Sequence, residues 1–327
     1  MRLSIAIITA NTEIRSGVHL IEVHASQLAQ AAQPGQYCMV RCCDSLSTDP
    51  LLRRPFFIHT VRREQGLCTL LVHVRGRGTA WLVKQQEGAS LDILGPLGQG
   101  FGTVDQIPEL CYTYPSFDAS MNASYCALCV ISLSRIPGEA RRCCFRRMAV
   151  EANSQQCERR TCYESCMFQK RWIVRPMVRN LLLISEDEHI PALALLAQRA
   201  IEQDLAVTVI QQCENAASVY PPALLPAEVE YLVVTRDGSV GLPGELTNIV
   251  ANYLGWADAA CCSVSHQTAI ALYRAHERLR LKHFAQAVVL QPLVCGNGAC
   301  LTCQLDTHHG PKLVCRDGPV FNLRDIV

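Results

Sequence analysis

Four cysteines near the end of the sequence have a spacing that limits the kind of site they can form. Cys295, Cys300 and Cys303 follow the pattern C-x4-C-x2-C, and Cys315 comes eleven residues further on. This is the ligand spacing of a plant-type [2Fe–2S] cluster, in which one loop presents three thiolates and a separate segment brings the fourth. The pattern therefore predicts a two-iron cluster held by these four sulfurs.

Two glycines inside the cysteine loop agree with this interpretation. Gly296 and Gly298 let the backbone adopt positive φ angles and bring N–H groups close to the sulfurs. A zinc site usually pairs two C-x2-C knuckles, whereas only one is present here. Zinc and inert buried thiols remain the alternatives to the cluster.

The total number of cysteines bears on the redox compartment. There are 19, an odd number, so disulfides cannot use them all. The apolar stretch Ile5–Ala10 is shorter than the core of a signal peptide and is not followed by small cleavage-site residues. We therefore expect a cytoplasmic protein, in which clustered cysteines bind metal or carry out redox chemistry more often than they form disulfides.

Charge and hydropathy exclude two classes of function. The formal net charge is +1, so no bulk field exists to hold nucleic acid or an anionic membrane. Hydrophobic residues make up 49% of the chain but are dispersed, with no apolar run of the roughly 18 residues that a spanning helix needs. We expect neither a nucleic-acid partner nor a membrane span.

Hydrophobic periodicity divides the chain into four segments. Residues 1–102 show short apolar runs at hairpin spacing, among them Phe56–Val61, and predict an antiparallel β-barrel with one helix, near Ala80–Gln86. Residues 179–290 alternate strands with helices, one of them over Pro243–Tyr253, and predict an α/β, doubly wound parallel sheet. Residues 291–327 form a small cluster domain. Residues 103–178 have no sustained period and are interpreted as an irregular insertion rich in Cys and Arg.

The predicted barrel carries three segments that suit a flavin, the natural two-electron partner of a one-electron cluster. Arg54 can fork onto a pyrophosphate while Phe56 or Phe57 packs on a flat ring. The turn Gly76–Thr79 precedes the predicted helix and can approach phosphate, and Gly95–Phe101 makes a tight turn. Each segment alone is a weak signal.

In combination, these segments resemble the electron-transfer subunit of NAD-linked dihydroorotate dehydrogenase, within the ferredoxin-reductase-like flavoproteins. The resemblance covers residues 1–102 and 179–327. The motifs that carry it, besides the cluster cysteines, are Pro34-Gly35-Gln36, Leu51-Leu52-Arg53-Arg54-Pro55, Gly76-x-Gly78-Thr79, the stretch Leu91–Phe101, and Val314-Cys315-x-Asp317-Gly318-Pro319-Val320-Phe321.

The resemblance implies a flavoprotein that relays electrons and does not bind the pyrimidine. A separate FMN-bearing subunit would oxidise dihydroorotate in pyrimidine (UMP) biosynthesis, and electrons would pass through the cluster to FAD and then as hydride to NAD+. The two subunits would form a hetero-oligomer. The implied cluster ligands are Cys295, Cys300, Cys303 and Cys315, and the implied FAD residues are Arg54, Pro55, Phe56, Phe57, Leu71, Val72, His73, Gly78 and Thr79. No residue is assigned a catalytic role.

Several positions depart from the family pattern. Ser185–His189 replaces the Gly-rich loop that follows the first strand of the nucleotide domain, and it is interpreted as an exposed acidic loop rather than a metal site. Cys262-Ser263-Val264 replaces Cys-Gly-Pro, Phe57 replaces a polar residue, and His73 replaces an arginine. These departures argue against NAD binding. The alternatives are a reductase component that feeds another oxidoreductase and a degenerate, non-catalytic scaffold.

Overall fold

The structure is a computed structural model that describes residues 2–102, 178–278 and 284–327. All of these residues belong to one compact unit. Apart from Val178, the insertion predicted over 103–178 lies outside the described residues, and so do all of its cysteines. No helix in the described ranges has both the length and the apolar character needed to cross a bilayer.

The first segment folds as a curled antiparallel sheet, which confirms the predicted barrel. Its seven strands are β1 (Arg2–Arg15), β2 (Val18–His24), β3 (Tyr37–Val40), β4 (Arg54–Phe57), β5 (Thr60–Arg62), β6 (Leu67–His73) and β7 (Ser90–Leu97), and its helices are α1 (Ser26–Ala31) and α2 (Arg77–Leu82). The strand order is β4-β3-β7-β1-β2-β6-β5. The predicted single strand from Phe56 to Val61 is two strands, because β4 pairs with β3 and β5 pairs with β6. Helix α1 was not predicted, and α2 begins before the predicted Ala80.

Alternating side chains build the interior of this half-barrel. Along β7, Leu91 and Ile93 are buried whereas Asp92 and Leu94 are only partly so, the period-2 pattern of a strand with one covered face. Helix α1 contributes Leu28 to the same interior. The half-barrel therefore has its own core, on which the strand edges bearing the site residues are fixed.

The second segment is a mixed sheet with helices on it, which confirms the predicted α/β architecture. Its elements are β8 (Asn180–Glu186), α3 (Pro191–Glu202), β9 (Ala206–Cys213), β10 (Glu230–Thr235), β11 (Leu242–Pro243), α4 (Leu246–Leu254), β12 (Ala259–Ser263), α5 (His266–Arg278) and β13 (Phe284–Val288). These six strands are parallel in the order β11-β10-β9-β8-β12-β13. The order reverses at β8, so the carboxyl ends of β8 and β12 border the switch point. The helix predicted from Pro243 begins at Leu246, because Pro243 pairs with β10.

The cluster segment is joined to this sheet by its last strand. It contains β14 (Gln304–Thr307), β15 (Gly310–Leu313), the short helix α6 (Val314–Asp317) and β16 (Val320–Asn322). Strands β14 and β15 form a separate hairpin, whereas β16 pairs antiparallel with β13, placing Phe321 opposite Ala287. The sheet thereby gains a seventh strand, which begins three residues after the end of α6, the helix that carries Cys315.

A buried polar contact joins the half-barrel to the parallel sheet. His59, 1% exposed, lies with Nε2 2.5 Å from the hydroxyl of Tyr220 and Nδ1 2.9 Å from the Oγ1 of Thr69. Beside it, the amide of Gln198 in α3 donates to the carbonyl of Val61 at 2.9 Å. Burial lowers the pKa of His59 to about 4, so the imidazole is neutral at pH 7.

Candidate functional site

The four predicted ligands lie near one another and fall into two pairs. The Cys300 side chain lies close enough to Cys295 to lower the pKa of that thiol, and Cys303 lies close enough to Cys315 to raise the pKa of that one. Cys303 and Cys315 are buried, whereas Cys300 is exposed. Among the described residues, no three Cys, His, Asp or Glu side chains surround a single ion position. A [2Fe–2S] cluster has two irons with two protein ligands each, so the pairing suits it better than one tetrahedral zinc ion.

The loop between the first two ligands points its backbone amides at sulfur. Although burial raises the pKa of Cys295, hydrogen bonds from the amides of Asn297 and Cys300 and from the Cys300 side chain outweigh burial and lower this pKa to about 6. Gly296 and Gly298 have φ angles of +72° and +85°, as the sequence predicts. The loop can curl around a cluster because these two residues lack a Cβ.

The fourth ligand is supplied by the short helix α6. The N–H of Cys315 donates to Sγ of Cys303 at 3.4 Å. Burial and the neighbouring Cys303 raise the pKa of the Cys315 thiol to about 12. The two inner sulfurs are therefore enclosed by protein, while the outer pair faces the surface.

An apolar cleft of about 240 Å³ lies next to the cluster segment. Its half-barrel wall is formed by Tyr37, Pro55 and Phe57, and its other wall by Val289, Leu290, Gln291, Leu293 and Pro319. The second wall follows β13 and leads directly into the cysteine loop. Flat, apolar walls of this kind suit an aromatic ring system.

Tyr37 connects the cleft with the cluster segment. Its ring lines the cleft, and its hydroxyl, which is buried, donates to the carbonyl of Cys315 at 3.0 Å. Burial, together with the nearby Cys315, Cys303 and Cys295, raises the pKa of Tyr37 well above its usual value. The hydroxyl therefore stays protonated and keeps donating.

The two arginines of the predicted flavin motif have different roles. Arg53 binds Asp92 twice, through its carboxylate at 2.7 Å and its carbonyl at 2.9 Å, and so fastens β4 to β7. Arg54 has no carboxylate partner in the described parts of the chain, and it donates to the carbonyl of Leu52 at 2.8 Å. A Cβ on Gly78 would lie 3.3 Å from Nε of Arg54. The guanidinium of Arg54 is therefore adjacent to the predicted phosphate turn Gly76–Thr79.

The other predicted FAD residues do not all face one space. Phe56 and Val72 belong to the half-barrel core, so only Phe57 of the two phenylalanines lines the cleft. Leu71 is also buried. The hydroxyl of Thr79 accepts from the amide of Gly76 at 3.1 Å and donates to its carbonyl at 3.0 Å, so it shapes the turn.

His73, at the end of β6, faces an acidic side chain of the other sheet. Its Nδ1 lies 2.8 Å from Glu188, which also binds Arg75 at 2.7 Å. Burial lowers the pKa of His73, and the charge of Glu188 offsets this only in part. Arg75 therefore carries the positive charge, and His73 contributes a neutral N–H. Its buried Nε2 has no partner among the described residues.

The expectation of an exposed acidic loop at Ser185–His189 holds for Glu188, which is exposed, and is wrong for Glu186. Glu186 is 7% exposed, and its carboxylate is hydrogen-bonded to groups far away in the sequence. Sequence reasoning also did not single out Tyr37 as a site residue, although the preceding Pro34-Gly35-Gln36 was among the motifs quoted.

Comparison with protein families identifies the cluster segment. Residues 291–327 match the family model described as the iron–sulfur cluster binding domain of dihydroorotate dehydrogenase B. The matched segment contains all four predicted ligands.

Comparison with characterised proteins extends this likeness along the chain. A protein of Desulforamulus reducens, named dihydroorotate dehydrogenase B (NAD(+)), electron transfer subunit, is 26% identical over 94% of this chain and 92% of its own length. A protein of the same name from Geobacillus kaustophilus is 25% identical over 90% of this chain and 87% of its own length. The resemblance derived from the motifs is confirmed.

Two solved reductase structures resemble the fold of this chain. The structure of an NADH-dependent reduced ferredoxin-NADP oxidoreductase matches with a TM-score of 0.64 at 17% identity, covering 99% of this chain and 90% of the other. A ferredoxin reductase in carbazole 1,9a-dioxygenase matches with a TM-score of 0.51 at 13% identity, covering 84% and 65% of the two chains. These matches confirm the predicted ferredoxin-reductase-like fold.

Proposed function

We propose that this chain is the electron-transfer subunit of a dihydroorotate dehydrogenase, an oxidoreductase component that carries a [2Fe–2S] cluster and FAD in pyrimidine biosynthesis. A separate FMN-bearing subunit would oxidise dihydroorotate, and this chain would pass the electrons on. The observation that carries the proposal is the two pairs of cysteines beside an apolar cleft, with Tyr37 joined to both.

The residues present fit a [2Fe–2S] cluster. Cys295, Cys300, Cys303 and Cys315 would hold it, two sulfurs to each iron. When bound, a cluster of this kind supplies a one-electron carrier. The amides of the loop point at the sulfur of Cys295, a kind of contact that tunes reduction potential.

The half-barrel fits an FAD in part. Pro55, Phe57 and Tyr37 would accept the flat ring, and Arg54 beside Gly78 would hold the diphosphate, since its guanidinium has no carboxylate partner among the described residues. When bound, FAD exchanges electrons singly or in pairs. Phe56 and Val72 would act through the core that supports these residues. His73 offers an unsatisfied Nε2.

Tyr37 would keep the two cofactor sites in a fixed relation. Its hydroxyl holds the backbone of the fourth cluster ligand while its ring forms a wall of the cleft. The distance over which an electron passes between ring and cluster would then not vary with the motion of the cysteine loop.

The relatives' names imply a catalytic partner, and we propose an FMN-bearing subunit in a hetero-oligomer. The cytoplasm is the compartment we propose, because the cysteines of the described ranges are all free thiols. The same names include NAD+. The residues at the carboxyl edge of the parallel sheet do not fit that nucleotide, so the proposed function does not include NAD+.

The visible spectrum of anaerobically purified protein tests the proposal. We expect flavin bands together with broad iron–sulfur absorption, both bleached by dithionite, and iron and acid-labile sulfide in equal amounts. Cys300→Ser should lose most of its iron and sulfide. The matched control is Cys43→Ser, a buried cysteine whose thiol donates to the carbonyl of Ser47 at 3.3 Å and which a serine hydroxyl can replace.

Two results would contradict the proposal. One is a colourless protein that contains zinc. The other is Cys300→Ser material with the same iron and sulfide content as the Cys43→Ser control.

A further inference from the structure

In a doubly wound sheet, a dinucleotide binds across the carboxyl ends of the strands at the switch point. Here those ends belong to β8 and β12, which are parallel neighbours with Ser185 opposite Ser263. Binding requires glycines that let the diphosphate approach the backbone, and free N–H groups at the start of the following helix. Neither Ser185–His189 nor Ser263–Ser265 contains a glycine, and the helix that follows β8 begins at Pro191, which has no N–H.

The place of the diphosphate is taken by a side chain of the protein. Glu186, the last residue of β8, accepts a hydrogen bond from the N–H of Ser265 at 2.9 Å. It accepts two more, from the hydroxyl of Thr268 at 2.9 Å and from Arg236 at 3.0 Å. Ser265 immediately precedes α5, so the carboxylate occupies the anion position at the start of that 13-residue helix.

The turn after Glu186 is held from both sides. Asp187 has a φ of +49° without being glycine, and its carboxylate binds Arg236 at 3.1 Å. The amide of Gln211 donates to the carbonyl of Asp187 at 2.7 Å. Because these contacts fix the turn against β9 and β10, it cannot move aside for a ligand without breaking them.

The next residue ties the same turn to the half-barrel. Glu188 binds His73 and Arg75, and Arg236 is paired with Glu186 and Asp187. A third guanidinium, that of Arg15, lines the same pocket as Asp187 and Glu188 and donates to the carbonyls of Ala217 and Val219. An incoming diphosphate would therefore meet three carboxylates, and the three guanidinium groups described at this edge already have partners. The charges repel the ligand, and the donors that would compensate are engaged.

We propose that Glu186 acts as a built-in anion that fills the diphosphate position, so that this edge binds neither NAD+ nor NADH. The inference rests on the proposed function only in treating this edge as the nucleotide site of the family.

The first test is direct binding. Titration of the holoprotein with NAD+ and with NADH by calorimetry should give no saturable heat, and NADH should not bleach a protein that dithionite bleaches fully. Saturable binding of either nucleotide overturns the inference. Absent flavin and cluster absorption would count against the proposed function instead, and the calorimetric titration still decides the inference.

The second test removes the built-in anion. Glu186→Ala should lose stability, and inorganic pyrophosphate should restore part of it, because Ser265, Thr268 and Arg236 regain an anion. At a pyrophosphate concentration tenfold above its dissociation constant, the folded-to-unfolded ratio should rise roughly tenfold for this variant and not for the wild type. The control is Glu202→Ala, which removes a surface pair with Arg199.

Two outcomes of the second test oppose the inference. Pyrophosphate that stabilises the wild type as much as Glu186→Ala would show that the position is open. Pyrophosphate that stabilises neither, in a variant that folds, would show that the position is not an anion site. If Glu186→Ala does not fold, the nucleotide titration of the wild type remains decisive.

Discussion

The buried histidine between the two sheets should make stability depend on pH in a defined window. His59 is neutral in the folded protein, with its pKa lowered by burial from 6.5 to about 4. Between these two values the unfolded chain binds a proton that the folded chain does not, so the unfolding free energy falls as the pH falls. Above pH 6.5 this contribution is absent, and below pH 4 it is complete.

The size of this effect follows from the two pKa values. A difference of 2.5 pKa units corresponds to about 3 kcal/mol, and about 2.5 kcal/mol of it should be expressed between pH 8 and pH 4.5. The pKa values of His73 and His189 are also lowered in the folded protein, so both residues add to the loss of unfolding free energy as the pH falls. Urea unfolding of the holoprotein, followed by tryptophan fluorescence across this range, measures the slope.

Replacing the histidine separates its contribution from the others. His59→Gln should be less stable than the wild type at pH 8 by about 1–3 kcal/mol, because Tyr220 and Thr69 lose a buried partner. The deficit should shrink by about 2.5 kcal/mol, and could reverse in sign, by pH 4.5. His24→Gln, on the exposed end of β2, is the control. A deficit of His59→Gln that stays constant over this range would refute the reasoning.

Three further substitutions test the site and the sheet. Tyr37→Phe should reduce the unfolding free energy, measured by urea unfolding, by about 1–2 kcal/mol. It should also shift the reduction potential of the cluster, measured by redox titration. If neither quantity changes, the bridging role of Tyr37 is contradicted. Gly298→Ala should lose bound iron, because Gly298 has a φ of +85° and an added Cβ would lie 3.2 Å from a methyl group of Leu313. The control is Gly310→Ala, which has a similar φ of +88° but open space around the Cβ and should keep its iron. Equal iron contents in the two variants would contradict this. Ser263→Ala should raise the urea midpoint by an amount equivalent to about 1 kcal/mol, because its buried hydroxyl has no partner in the described structure, and a lowered midpoint would be evidence against this.

Local patterns in the sequence predicted the parts of the fold that depend on local physics. Strands such as β7 were found because covered and uncovered side chains alternate, and α3 because its apolar face repeats over 12 residues. Helix α1 has only six residues, less than two turns, and shows no measurable period. Pro243 suggested a helix start but is a strand residue, because its pairing with β10 is a tertiary contact.

The candidate site divides along the same line. The cluster ligands could be identified because their spacing encodes the loop that holds them. The contact of Tyr37 with Cys315 spans 278 residues, and no local pattern predicts it. The acidic loop was misjudged because its partners, Arg236 and Ser265, lie 50 and 79 residues from Glu186. A carboxylate that is expected from the sequence to face solvent can instead be buried, when the fold brings hydrogen-bond donors to it from distant positions in the chain.

Strand β16 has a consequence for the protein when its iron is lost. It covers the edge of β13, whose open N–H and C=O groups would otherwise be available to pair with another chain. The residues that lead into β16 come directly from the turn that bears Cys315. A cluster held there would also secure this covering strand, so its loss would expose the edge of β13 to pairing with another chain.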